Sequence, residues 1–185
     1  MTANHAELPD EETVWQGKFV AAKRRGKWEY ASRTRGIRAA AIIAVTDEDK
    51  VVLVSQYRVP LGVTCLEIPA GLIGDDDGCE DEEAATAALR ELEEETGYTA
   101  ARMEGLGEFY SSPGMVSESF SLMRAHGLRR VGEGGGTESE DITIHEVSLA
   151  DLPAFVADWR AKGHGVDVRV AMLMAAGFMA GETSE

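Results

Sequence analysis

The chain has 185 residues, 44% of them hydrophobic and 28% charged, enough for one full-sized domain and too few for two independent cores. Its formal net charge of −15 argues against a nucleic-acid surface, because phosphate backbones are bound with Lys and Arg. Apolar runs stay short of the roughly 18–20 residues that cross a bilayer, so no membrane contact is expected. Met1 to Asp10 has neither a basic n-region nor an apolar h-region, so no signal peptide is expected. Cys65 and Cys79 make no disulfide framework and no Cys/His metal spacing, which suits a reducing cytoplasm.

Residues 1–12 read as a frayed polar tail. Thr13 to Arg33 alternates weakly around Arg24-Arg25-Gly26-Lys27 and predicts a hairpin. Ile37–Val45 and Val51–Gln56 are apolar runs split by Asp47-Glu48-Asp49, hence two buried strands. Ala84, Ala85, Ala88, Leu89 and Leu92 form a stripe at helical spacing, predicting a helix over Glu82–Glu95 stopped by Gly97. Met103–Tyr110, Ser119–Arg124 and Ile142–Val147 follow as strands, and Leu152–Ala161 and Val168–Met179 as closing helices. Strands interleaved with a few helices give a mixed α/β domain. His145, in mid-strand, reads as structural.

The chemistry gathers in Arg90-Glu91-Leu92-Glu93-Glu94-Glu95-Thr96-Gly97-Tyr98. Residues three and four apart share a helix face, so Glu91, Glu94 and Glu95 stand together. Like charges at that spacing cost a few tenths of a kcal/mol per pair. They also fill the last turn, where the helix dipole favours cations. A solvated charged face explains any one of these residues, but the whole string arises by chance in only about one such chain in 10⁵. Carboxylates without Cys or His suit a hard cation such as Mg²⁺, with Mn²⁺ as a substitute. Arg90, four residues before Glu94, is placed to hold one carboxylate.

The segment resembles the Nudix box, Gly-x5-Glu-x7-Arg-Glu-U-x-Glu-Glu-x-Gly-U with U a bulky apolar residue. Gly71, Glu82, Arg90, Glu91, Leu92, Glu94, Glu95, Gly97 and Tyr98 match it, except that ten residues rather than five separate Gly71 from Glu82. The excess reads as an insertion near Asp75–Cys79. Aligning Glu80 instead of Glu82 spoils the seven-residue gap to Arg90. The resemblance implies an α/β/α sandwich with a mixed sheet, and metal ligation by Glu91, Glu94, Glu95 and the backbone carbonyl of Ala70. Glu94 and Arg90 also count among the catalytic residues.

Flanking segments resemble the ADP-ribose pyrophosphatases and related nucleoside-diphosphate-sugar hydrolases of that family. These are Gln56-Tyr57-Arg58, Glu67-Ile68-Pro69-Ala70-Gly71-Leu72 and Ser112-Pro113-Gly114 followed by Glu118. The implied reaction takes ADP-ribose to AMP and ribose 5-phosphate. A glycine triplet, Gly134–Gly136, also occurs in the branch that cleaves GDP-mannose, so base and sugar stay open. Substrate contacts are expected from Arg58, Glu67, Gly71, Leu72, Gly114 and Glu118. For Arg58 the choice is a diphosphate oxygen or a surface ion pair. Trp28 either stacks a nucleobase, often across a homodimer interface in relatives, or simply packs. The resemblance implies a glycine-rich mobile loop near residues 134–142 that brings in Glu138 and Glu140. Glu138 is favoured as general base and Glu140 as metal ligand, with the opposite assignment or a merely solvated acidic loop as the alternatives. Residues 13–36 are taken as a dimerising, base-binding β region and 37–181 as the hydrolase domain. A non-catalytic sensing module needs a basic DNA-binding helix, and a scaffold needs lost box glutamates; the sequence has neither feature.

Overall fold

The computed structural model describes residues 9–34, 38–73, 83–137 and 140–175. Three short strands come first: β1 (Glu11–Gln16), β2 (Val20–Arg25) and β3 (Trp28–Arg33), antiparallel in that order. One hairpin was expected here. The additional turn follows β1, where the Gly17 N–H donates to the Val20 carbonyl at 2.9 Å. β1 also begins inside the stretch read as a tail. Glu11 explains why it pairs, since its carboxylate accepts from Lys23 at 2.6 Å, from Arg25 at 3.2 Å and from the Tyr30 hydroxyl. The Lys23 hydrogen bond, and after it that of Tyr30, hold this carboxyl down at about 2.

The central layer follows as β4 (Arg38–Ala44), β5 (Lys50–Arg58), β6 (Val63–Glu67) and β7 (Ala70–Ile73). Then come α1 (Ala84–Thr96), β8 (Tyr98–Tyr110), β9 (Ser119–Arg130) and β10 (Thr143–Ser148). The chain closes with α2 (Leu152–Ala161), β11 (Gly165–Val166) and α3 (Val168–Leu173). One sheet, in the order β7-β4-β9-β8, is mixed, with β4 parallel to β9 and its other pairs antiparallel. A second sheet runs β10-β5-β6-β11.

β4 shows why its sequence is a continuous apolar run. Ala40, Ile42 and Ala44 join Ala87, Ala88 and Leu92 of α1 in one core, whereas Ala41 joins Leu53, Leu66, Leu152, Val156 and Val170 in another. A strand covered by helices on both faces has no polar side to alternate with. The α/β/α sandwich with a mixed sheet is therefore present. Leu92 has no exposed surface, and truncating such a residue to Ala typically costs about 2–5 kcal/mol.

Some boundaries move. β8 and β9 are longer than expected because their polar ends pair with each other, Tyr98 opposite Arg130 and Thr99 opposite Arg129. β6, β7 and β11 carry no clear period of their own. α3 ends at Leu173, and the expected continuation to Met179 runs partly outside the described residues.

Candidate active site

Helix α1 lies against β7 so closely that three consecutive strand residues meet three of its charged side chains. The Ala70 N–H donates to Glu95 Oε2 at 3.0 Å. A Cβ on Gly71 would collide with the Glu91 carboxyl. The Leu72 carbonyl accepts from Arg90 Nη2 at 3.3 Å, while Arg90 Nη1 donates to Glu91 at 2.9 Å and to Glu94 at 3.3 Å. Glu95 is 5% exposed. Burial first, then the Glu91 and Glu140 charges, push its carboxyl up to about 8 against the opposing Ala70 hydrogen bond. Burial also raises Glu91, and the Glu94 and Glu140 charges add to it, against the pull of Arg90. Ala70 thus engages the cluster through its amide, where its carbonyl was the group expected to take part.

The end of α1 is capped from a distance. A helix leaves its last carbonyls without internal partners. Here the Glu93 carbonyl receives the Gly97 N–H, the Glu95 carbonyl that of Gly135 and the Glu94 carbonyl that of Gly136, each at 2.9 Å. Gly134, Gly135 and Gly136 have φ of +70°, +108° and +79°, a region that only glycine enters without strain. A Cβ on Gly134 would run into the Thr96–Gly97 backbone. Positive φ at these glycines lets the loop lie close against the helix end. Just beyond, Glu140 Oε2 accepts from the Thr137 amide at 3.0 Å and its hydroxyl at 3.1 Å. Glu138 and Glu82 lie outside the described residues.

These groups open onto a cavity of about 1150 Å³. Arg58, Glu67, Ala70, Gly71, Leu72, Arg90, Glu91, Glu94, Glu95, Glu118 and Glu140 all line it. Arg58 is forked onto Glu67, Nε to Oε1 at 2.6 Å and Nη2 to Oε2 at 2.8 Å. Glu118 holds Arg33, Nε at 2.8 Å and Nη2 at 2.6 Å. Trp28 and Gly114 are not brought to this place. They line a separate cavity of about 640 Å³ between the N-terminal sheet and the 113–117 loop. β3 is stitched to that loop through Ala31, whose N–H donates to the Met115 carbonyl at 2.9 Å and whose carbonyl accepts from Ser117 at 3.0 Å.

Residues 36–164 match the NUDIX domain. The chain belongs to the NUDIX family. A methanol dehydrogenase activator of Bacillus methanolicus is 40% identical over 123 residues, 66% of this chain and 64% of the relative. An ADP-ribose pyrophosphatase of Bacillus subtilis strain 168 is 43% identical over 114 residues, 61% of this chain and 59% of the relative. The matched part thus spans less than two thirds of either relative. A solved structure described as an ADP compounds hydrolase superposes with a TM-score of 0.67, covering 95% of this chain and 94% of the other, at 23% identity. That likeness concerns the fold.

Against a NUDIX metal site, the donor set fits in kind. Glu91 and Glu95 resist ionising, chiefly through burial and also through the neighbouring carboxylates, and the glycine opposite Glu91 leaves the space that a side chain would fill. Among the described residues, however, no three acidic, His or Cys side chains already surround one point. Arg90 and the Ala70 amide hold the carboxylates close to one another. His145, read as structural, does not line this cavity. Its Nε2 lies 2.8 Å from Ser55 Oγ, its ring meets Trp159 edge-on at 5.3 Å, and burial lowers its pKa. Cys65 is buried, and desolvation raises its thiol to about 11. The cavity also holds Arg33, Asp167 and Arg169, which no motif had signalled.

Proposed function

We propose that this NUDIX chain hydrolyses the diphosphate bond of a nucleoside diphosphate sugar, ADP-ribose plus water giving AMP and ribose 5-phosphate, with Mg²⁺ as the ion and Mn²⁺ as its substitute. The observation that carries this reading is that one cavity joins the Glu91–Glu94–Glu95 carboxylates to arginines held on buried or half-buried acids. One end suits a hard cation and the other an anionic substrate. Glu91, Glu94, Glu95, Glu140 and the Ala70 carbonyl would hold the ion, which when bound neutralises the diphosphate and makes a bound water acidic. Arg90 positions Glu91 and Glu94, and Glu138 accepts the proton of the attacking water. Arg58, Glu67, Gly71, Leu72 and Glu118 receive the substrate. The relative named ADP-ribose pyrophosphatase supports this choice of substrate.

Trp28 and Gly114 would serve the base from the second cavity, with residues 13–36 forming a homodimer interface. Trp15, Phe19 and Trp28, each more than 60% exposed, support that interface. A cytoplasmic location accords with the sparse cysteines, and among the described residues no helix is long and apolar enough to cross a membrane. The Gly134–Gly136 triplet does not separate ADP-ribose from GDP-mannose, because capping α1 is independent of the base. The deciding experiment assays a panel of nucleotide sugars with Mg²⁺ and with EDTA. ADP-ribose should lead and EDTA should abolish turnover; preference for GDP-mannose would replace the substrate, and turnover in EDTA would overturn the metal role.

A further inference from the structure

We propose that Arg169 is a second substrate-binding arginine, held with Arg58 on the buried carboxylate of Glu67 as a two-guanidinium clamp for the diphosphate. The inference rests on the nucleotide-sugar reading above and deepens it. Glu67 closes β6, with its side chain 5% exposed. It accepts the Arg58 fork at 2.6 and 2.8 Å, and its Oε2 also lies 3.6 Å from Arg169 Nη2. Arg169 arrives from α3, a hundred residues further along the chain. Asp167, which caps α3, fixes it by accepting Nε at 2.8 Å, Nη2 at 2.9 Å and the Arg169 amide at 2.7 Å. The guanidinium lies over the Phe120 ring, 5.4 Å from its centroid.

Two guanidinium groups sharing one carboxylate repel each other. Glu67 and Asp167 offset that repulsion, leaving a balanced set of two cations and two anions on the cavity wall. Even a fully buried ion network is often replaced by apolar residues at no loss of stability, and this one is only partly buried, so stability alone gives weak reason to build it. The donors left over point to a ligand. On both arginines the Nε and Nη2 donors are used, and Nη1 has no hydrogen-bond partner among the described residues. Guanidinium groups pre-oriented in this way match the oxygens of a diphosphate. Glu67, besides lining the cavity, thereby also positions both arginines.

The test compares the wild-type protein with Arg169→Met, Arg169→Lys and Arg169→Ala in ADP-ribose hydrolysis with Mg²⁺. Losing two charge-assisted hydrogen bonds should raise KM for Arg169→Met about tenfold or more, with kcat changed less. Arg169→Lys, keeping charge but losing the fork, should fall between. Millimolar guanidinium ion should lower KM for Arg169→Ala and leave the wild type unchanged, a rescue that a merely structural role would not show. Wild-type KM in Arg169→Lys together with no guanidinium rescue would overturn the clamp, even if Arg169→Met does not fold. If the wild-type protein cleaves no nucleotide sugar, the functional reading fails separately. Calorimetry with inorganic pyrophosphate and Mg²⁺ then decides the clamp: affinity should weaken in Arg169→Lys, and equal affinity in wild type and variant would refute it.

Discussion

Glu95 has almost no contact with solvent, yet it belongs to the cluster proposed to hold a cation, and its ionisation links pH to both stability and metal binding. Its folded carboxyl titrates at about 8 against an ordinary 4.5. Folding therefore favours the protonated form. That contribution is complete below about pH 4.5 and is lost as pH rises through 8. The melting temperature in EDTA should accordingly fall across this window. An ion binding the carboxylate competes with the proton, so stabilisation by Mg²⁺ should grow over the same range. Scanning calorimetry with and without Mg²⁺ checks both trends, and a flat Mg²⁺ effect from pH 5 to 8 would remove Glu95 from the ligand set. Glu94→Gln and Glu95→Gln are each expected to lower kcat by about 10²-fold or more, since an ion contributes several kcal/mol of transition-state stabilisation. Circular dichroism should show both variants folded.

At the scale of the element, α1 is an incomplete helix by itself. Among the described residues no side-chain hydrogen bond caps its N-terminus, and it has neither acids in its first turn nor bases in its last. Its stability comes from the buried Ala87, Ala88 and Leu92 stripe and from the Gly135 and Gly136 amides at its far end. Gly97 has φ of +70°, and a Cβ there would meet the Gly132 carbonyl. Gly97→Ala should therefore cost about 1–3 kcal/mol from the backbone conformation alone. Urea denaturation measures this, and a loss below half a kcal/mol would show that the loop yields easily. The same contact brings Glu140 to the helix end, where its charge acts on Glu95. Glu138→Gln is expected to collapse kcat with little change in KM and to lose the acidic limb of the pH–rate profile. Glu140→Gln should instead weaken Mg²⁺ activation and recover in part at higher metal. Near wild-type turnover in both variants would move the base elsewhere.

Across the whole molecule, the proposed division of the substrate follows the two cavities. Carboxylates and arginines line one, and Trp28, Tyr30 and Gly114 the other. Trp15 and Phe19 are each 61% exposed on the N-terminal sheet, where aromatic side chains are more useful in an interface than in water. Sedimentation should find a homodimer at micromolar concentration. Trp15→Asp combined with Phe19→Asp should dissociate it and lower kcat/KM for the nucleotide sugar. A wild-type monomer throughout that range would leave Trp28 to plain packing.

What the sequence determined by itself was whatever is local or periodic. The α1 stripe, the Gly97 stop, the uninterrupted apolar runs of β4 and β5 and the spacing of Arg90, Glu91, Glu94 and Glu95 were legible because burial on one face or on both leaves its period in neighbouring residues. The tertiary structure alone decided which distant groups meet. It forked Arg58 onto Glu67 and joined Arg33 to Glu118 across 85 positions. It brought Arg169 beside Glu67 and turned the glycine triplet into the cap of α1. It also set Trp28 and Gly114 apart from the acidic helix. The reason is physical: periodicity records which side of an element is buried, whereas these pairings depend on how strands are stacked and where loops return, and no short stretch of sequence carries that geometry.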